Sequence, residues 1–414
     1  MMFDVAVIGG GPAGLAAAIS ACKNNAKVVI IEQQNRLGGI LNQCIHNGFG
    51  LHYFGVELTG PEYAKRWVDE FNKYNATVKL NTMVTHIEKI DTGVEISALS
   101  ENGLEIIKSK TVVLAMGCRE RPAGAINLCG TRPAGIFSAG QAQKFVNIHG
   151  KMVGKNIVIL GSGDIGLIMA RRLTCEGANV IGVYEIMSKC GGLARNVAQC
   201  LNDFNIPLHL STTVVATEGK TRVTGVWVAP VDESLNPILN KKQFIKCDTL
   251  LLSVGLIPEV ELFSNFNLEI SPATGSAVVN EFFQTTCPNL FICGNVLHVN
   301  DLADNVSNEG LTAGECAAKF AKGTLEKTTK VIEIEHDKHI KYTVPKYIHS
   351  SINDEVCTIS FRVDKEYKKA TIIATSNGEI INKKPSPAVN AGEMQIVKLN
   401  KKLIKDNLKI DIEV

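Results

Sequence analysis

Phe3-Asp4-Val5-Ala6-Val7-Ile8-Gly9-Gly10-Gly11-Pro12-Ala13-Gly14 decides the fold. Residues 3–8 form a short apolar run, the pattern of a buried parallel strand. Three glycines follow at once, and the Ala-rich amphipathic stretch 15–23 predicts a helix. A second apolar run, 27–31, ends in Glu32. The order is therefore strand, glycine turn, helix, strand. Gly9 permits the tight turn, Gly11 lets the backbone approach a pyrophosphate, and Gly14 lets helix and strand pack closely. Pro12 sits at the helix start, where its missing N–H costs nothing. The free N–H groups and positive end of the helix then face phosphate. Glu32 stands eighteen residues after Gly14, placed to accept a hydrogen bond from a ribose hydroxyl. The glycine spacing alone is a weak signal; in this context it reads as a dinucleotide site.

The pattern recurs. Residues 156–160 (NIVIL) read as a strand, Gly161-Ser162-Gly163-Asp164-Ile165-Gly166 as the glycine turn, and 167–173 as the helix. A further strand, 179–184, ends in Glu185, nineteen residues after Gly166. Two such units in one chain are far more specific than one. A carboxylate at 185 favours a free ribose 2′-hydroxyl and repels a 2′-phosphate. The expected cofactor is NAD(H), preferred over NADP(H), held by Gly161, Gly163, Asp164, Ile165, Gly166, Glu185 and Gly255. The apolar run 249–255, ending in Gly255, reads as a strand that closes the second nucleotide fold.

The rest of the composition sets bounds. The chain has 414 residues, enough for two or three domains, with 45% hydrophobic and 20% charged residues. A net charge of +2 supplies no field for nucleic acid or an anionic membrane. No apolar stretch is long enough for a membrane span, and the N-terminus lacks signal-peptide character, so a cytoplasmic protein is expected. The twelve cysteines are scattered without a C-x-x-C pair. Several fall in apolar runs, where a thiol acts as a small hydrophobe.

Residues 84–110 read as a three-stranded meander turning at Glu101-Asn102-Gly103. It leads into Thr111-Val112-Val113-Leu114-Ala115-Met116-Gly117, an apolar strand ending in glycine. After the second nucleotide fold comes Asn289-Leu290-Phe291-Ile292-Cys293-Gly294-Asn295. This order of pieces resembles the flavoproteins with two dinucleotide-binding domains, the group that includes thioredoxin reductase and glutathione reductase. The resemblance implies that the first fingerprint binds FAD, through Gly9, Gly11, Pro12, Ala13, Gly14, Glu32, Gly39, Val84, Ala115, Gly117, Gly294 and Asn295. That group ends its last strand in Gly-Asp; this chain departs with Asn295, which still offers an acceptor oxygen. The resemblance also implies that Glu309-Gly310-Leu311-Thr312-Ala313-Gly314 starts a helix aimed at the flavin.

Gly38-Gly39-Ile40-Leu41-Asn42-Gln43-Cys44-Ile45-His46 resembles the segment in which glutathione reductase-type enzymes carry two cysteines, but only Cys44 is present. An internal dithiol relay is not expected. Cys44 keeps two readings: a lone catalytic thiolate cycling through sulfenic acid, activated by His46, or a small residue lining a pocket. Residues 118–122 (CRERP) and 130–143 are similar to the FAD subunits of opine oxidases, hydrogen cyanide synthase and dye-linked proline dehydrogenase. Residues 39–51 and 293–298 are similar to bacterial flavoproteins associated with glycerol-3-phosphate dehydrogenase operons. These resemblances, over residues 1 to about 325, imply a second flavoprotein dehydrogenase subunit as partner.

Residues 330–414 change character. Alternating runs at 356–362, 370–374 and 394–399, a hairpin turn at Asn377-Gly378, and a loop at Pro385-Ser386-Pro387 predict a small β-rich domain. Its role stays open between docking a partner and stabilising the chain. The expected architecture is α/β, with two nested Rossmann-like domains: FAD at 1–118 and 250–325, NAD at 119–249, and the β-rich domain at 330–414. The expected activity is an FAD-dependent NAD(P)H oxidoreductase that moves hydride between NAD(H) and FAD and exchanges electrons with a partner dehydrogenase. Two alternatives stand beside it: an NADH oxidase or peroxidase using Cys44, and a non-catalytic FAD-bearing subunit with a vestigial NAD site.

Overall fold

The computed structural model describes residues 2–325, 330–349 and 356–414. The first apolar run becomes the strand Met2–Ile8 at the centre of a seven-stranded sheet. It pairs in parallel with Val28–Ile31 on one side and Gly103–Leu114 on the other. Helix Pro12–Lys23 covers one face, and nine of its residues are buried. The long helix Ala303–Ala321 packs on the same face, joining one apolar core with it.

The meander is present, with Met83–Ile90 and Gly93–Ser100 antiparallel to the third strand. The third strand does not stop where the meander does. Residues 103–110 and the apolar run after them form one strand, Gly103–Leu114. Its first part pairs with Gly93–Ser100, and its last three residues pair in parallel with Leu290–Ile292. The burial pattern follows the change of neighbours: alternating where one face is exposed, continuous at Thr111–Leu114 where both are covered.

Two compact units result. One comprises Met1–Asn42, Asn47–Cys118 and Pro258–Val414; the other comprises Gln43–His46 and Arg119–Ile257. The expected boundary at 249/250 is corrected by the sheet of the second unit. Strand Thr249–Leu252 is wholly buried there and pairs in parallel with both Ile136–Ser138 and Asn156–Leu160. That five-stranded parallel sheet continues through Asn179–Tyr184 to Leu208–His209. Its centre repeats the arrangement of the first unit: the strand before the glycine turn lies between the acid-bearing strand and a later apolar strand.

The β-rich segment groups with the first unit. It forms a five-stranded and a three-stranded sheet that share one core, including Ile359, Phe361, Ile372, Val397 and Ile410. Asn377 and Gly378, both at positive φ, turn the hairpin between Tyr367–Ser376 and Glu379–Val389. Pro385-Ser386-Pro387 is not a loop but part of that second strand. Glu379–Val389 lies at the sheet edge, where a missing N–H breaks no ladder bond.

Candidate dinucleotide sites

In the first unit the chain places its signature residues around one helix start. Gly9 ends the strand and donates its N–H to the Ile31 carbonyl at 2.9 Å. A side chain on Gly14 would lie 1.8 Å from the Gly9 oxygen, so only glycine allows the helix this close. Glu32 is 5% exposed. One of its oxygens accepts the Gly10 N–H at 2.6 Å and the other the Gln34 N–H at 2.8 Å. Gly39 folds over the turn, its Cβ direction only 2.9 Å from Gly11 Cα. Ala115 closes the other side through its N–H to Ile8 O at 2.9 Å. Gly294 abuts the helix start at Ala13. Val84 lies in the core on the far face of the sheet, together with Ile31 and Leu114. Gly117 accepts the Glu259 N–H at 3.1 Å.

Gly11 tests whether a dinucleotide fits. Its backbone angles, φ −75° and ψ −172°, suit any residue. A Cβ there would meet no protein atom nearer than Gly39 Cα at 4.0 Å. Neither strain nor packing demands glycine, so the open space is a cradle that a side chain would fill. Gly163 repeats this, with φ −64° and the nearest atom 3.4 Å away. Among the described residues, no side chain caps either helix. The N–H groups of both first turns thus suit an anion.

The second unit repeats the acid clasp. Glu185 is 8% exposed. One oxygen accepts the Ser162 N–H at 2.8 Å and the Ser162 hydroxyl at 2.6 Å; the other accepts the Met187 N–H at 2.9 Å. Gly161 donates to Tyr184 O at 2.8 Å. Gly166 sits against Ser253, and Gly255 faces open space. The Asp164 carboxylate is turned to its own loop, accepting from Leu193 N at 2.8 Å and Asn196 Nδ2 at 2.7 Å. What Asp164 offers a ligand is its backbone. Ile165 packs at the margin of the core of this unit.

One expectation about the chain after Gly294 needs correction. The helix containing Glu309 begins at Ala303, with Leu302 as its N-cap, so Glu309 is an interior residue. Its buried carboxylate accepts the Gly294 N–H at 2.7 Å and meets His298 Nε2 at 2.7 Å and Asn300 Nδ2 at 3.2 Å. Asn295 is engaged too, its side-chain oxygen accepting the Asn300 N–H at 3.0 Å. Glu309 and His298 were missed as residues that shape this turn. The available signal was a carboxylate inside a helix rich in Gly and Ala.

Cys44 does not have the surroundings of a reactive thiolate. Its segment groups with the second unit. There Gln43 Nε2 donates to Gly140 O at 2.8 Å and to Gln143 Oε1 at 3.1 Å, while Asn147 Nδ2 donates to Gln43 O at 2.8 Å. The Cys44 thiol points to Gln143 Oε1 at 3.6 Å. Burial pushes its pKa up to about 12. Burial, with Arg195 and Arg171 adding to it, lowers that of His46. His46 is therefore neutral near pH 7 and supplies no charge to stabilise a thiolate. The described residues contain no metal cluster, and none of their helices is long and apolar enough to cross a membrane.

The family description "Pyridine nucleotide-disulphide oxidoreductase" matches residues 3–310. The chain belongs to that family. It is an FAD/NAD(P)-dependent oxidoreductase. It is 28% identical over 350 residues to mitochondrial dihydrolipoyl dehydrogenase of Caenorhabditis elegans, covering 75% of this chain and 67% of that one. It is 26% identical over 318 residues to hydrogen cyanide synthase subunit HcnB of Pseudomonas protegens, covering 72% and 66% respectively. The chain thus spans about two thirds of the length of these relatives. Its fold is similar to that of T. acidophilum thioredoxin reductase, with a TM-score of 0.65 and 22% identity, covering 78% of this chain and 99% of the other.

Proposed function

We propose that the protein moves hydride between NAD(H), held by the second fingerprint, and FAD, held by the first, and exchanges electrons with a separate flavoprotein dehydrogenase subunit. The observation that carries this reading is the duplicated clasp, Glu32 on Gly10 and Glu185 on Ser162, beside two glycines at which a Cβ would meet no protein atom nearer than 3.4 Å. Intact clasps in both units argue against a vestigial nucleotide site.

FAD, when bound, supplies two-electron acceptance and donation. The protein's share is binding, orientation and electrostatics. Gly11 and the helix start behind it would hold the FAD pyrophosphate, and Glu32 the adenosine ribose. Gly163 and its helix would do the same for NAD(H). Glu185, already fixed by three hydrogen bonds, presents a carboxylate where a 2′-phosphate would be repelled, which favours NAD(H) over NADP(H). Glu309 holds the turn at Gly294–Asn295 in shape.

The partner is inferred from the sequence of residues 38–46, where the resembled disulfide reductases carry two cysteines and this chain carries one. That one cysteine is Cys44, and burial keeps it protonated. Electrons thus have no internal disulfide through which to leave. HcnB is named a subunit, and the segments 39–51 and 293–298 resemble those of glycerol-3-phosphate dehydrogenase operon flavoproteins. A dehydrogenase acting on glycerol 3-phosphate is the partner class we assign. Anaerobic stopped-flow mixing with NADH tests the first part: rapid bleaching of the flavin absorbance is expected, and no bleaching would sink it. Adding a glycerol-3-phosphate dehydrogenase with glycerol 3-phosphate and oxidised NAD tests the second: NADH formation that needs both proteins is expected, and none would sink it.

A further inference from the structure

Among the described residues, three side-chain polar groups help attach the β-rich C-terminal segment to the rest of its unit. Lys346 pairs with Glu269 at 2.7 Å. Glu281 is shared between Lys401 at 3.0 Å and His349 at 3.0 Å. The third group differs in where it lands. Arg362, on strand Val356–Val363, donates to the Val299 carbonyl at 3.0 Å and to the Asp301 carboxylate. The second Asp301 oxygen accepts the Met394 N–H at 2.6 Å. Residues 299 and 301 directly follow the Gly294–Asn295 turn.

A chain of contacts runs from this anchor to the glycine. The ring of Tyr342, also in the β-rich segment, stands edge-on to His298, with centroids 6.2 Å apart and planes at 86°. His298 holds Glu309, and Glu309 holds the Gly294 N–H, each at 2.7 Å. Gly294 in turn abuts Ala13 at the start of the fingerprint helix.

We propose that the β-rich segment is an intrachain clamp on the flavin site, in which Arg362 is the positioning residue that keeps residues 294–301 closed and so slows the departure of FAD. The inference rests on the reading that FAD occupies the first fingerprint. Arg362 is not needed to keep the segment attached, because the Lys346 and Lys401 groups do that elsewhere. Its bonds to Val299 and Asp301 are charge-assisted and partly buried, of the strength that moves a rate about tenfold.

The experiment uses the holoprotein as purified. FAD release after dilution is followed by flavin fluorescence for wild type, Arg362→Ala, Asp301→Ala, the double variant and Lys346→Ala. Each Arg362 or Asp301 single variant is expected to lose FAD about tenfold faster. The double variant should be accelerated by less than the product of the two single effects, because each single change already breaks the Arg362–Asp301 bond. The visible band of the bound flavin should shift in the same variants, which loss of general stability would not cause. Lys346→Ala should match wild type in rate and spectrum. Wild-type rates in the Arg362 and Asp301 variants would overturn the clamp, as would equal acceleration by Lys346→Ala. Should Arg362→Ala fail to fold, Arg362→Lys keeps the charge near Asp301 while losing the planar fork, and an intermediate release rate is expected; an unchanged rate counts against the clamp. A wild type that binds no FAD overturns instead the cofactor reading beneath it.

Discussion

Glu185 does two things at once: it fixes the Ser162 turn and presents a negative charge at its lip. Replacing it with serine removes both. The NADH-over-NADPH preference in flavin bleaching is expected to shrink about tenfold in Glu185→Ser. Equal bleaching rates for the two nucleotides in wild type would defeat this account of specificity. Cys44 gives the opposite expectation. A thiol pushed up to about 12 by burial is protonated at working pH, and hydride transfer needs no thiol. Cys44→Ser should bleach with NADH at the wild-type rate. Peroxide-dependent NADH consumption that vanishes in that variant, with sulfenic acid trapped at Cys44 in wild type, would revive the peroxidase reading. At this scale the sequence made Glu32 and Glu185 legible, because fingerprint spacing is local. The state of Cys44 was not legible, because its burial and its contact with Gln143, about a hundred residues away, arise only in the fold.

Among the elements, the fingerprint helix permits a clean separation of binding from folding. Gly11→Val adds a side chain where backbone angles and protein packing both permit one, so the protein should fold and melt near the wild-type apoprotein. It should also be colourless, because the added atoms fill the pyrophosphate space. Yellow Gly11→Val protein would mean that the cradle lies elsewhere. Gly14→Val is the contrasting case, since its Cβ would overlap the Gly9 carbonyl and block folding itself. Element types were mostly readable from periodicity, while three boundaries were not. Gly103–Leu114 reads as two pieces because its burial pattern changes when its neighbour changes. Glu379–Val389 hides behind two prolines that an edge strand tolerates. The helix Ala303–Ala321 begins in a polar run without a capping side chain, so no local signal marks its start six residues ahead of Glu309.

For the whole molecule, the buried group Glu281–His349–Lys401 ties the β-rich segment to its unit and gives stability a pH dependence. The pKa of Glu281 is lowered from 4.5: burial opposes this, but the hydrogen bonds and charge of His349 and the charge of Lys401 outweigh it. A depressed carboxylate pKa contributes stability above the unfolded value and loses it as pH falls through the folded one. Urea midpoints should therefore decline as pH drops below 4.5. Glu281→Gln removes the buried carboxylate that Lys401 and His349 share, and should cost about 3 kcal/mol at neutral pH. It should also flatten the acid limb. An unchanged acid limb in the variant would show that other carboxylates set it.

The sheet of the first unit has a kinetic consequence. Its strand Leu290–Ile292 pairs with Val112–Leu114, and the intervening chain holds nearly all of the second unit. Closing that pairing across a long unstructured loop is entropically costly. Once Arg119–Ile257 has collapsed into its own sheet, the two ends it separates are held by a compact body instead of a loose coil. On a ribosome the second unit is complete before Leu290 is made, whereas Met2–Ile8 and its neighbours wait with one edge uncovered. Until Leu290–Ile292 arrives, that edge is a template for another chain, so slow translation between residues 119 and 290 lengthens the interval in which the nascent protein is prone to aggregate.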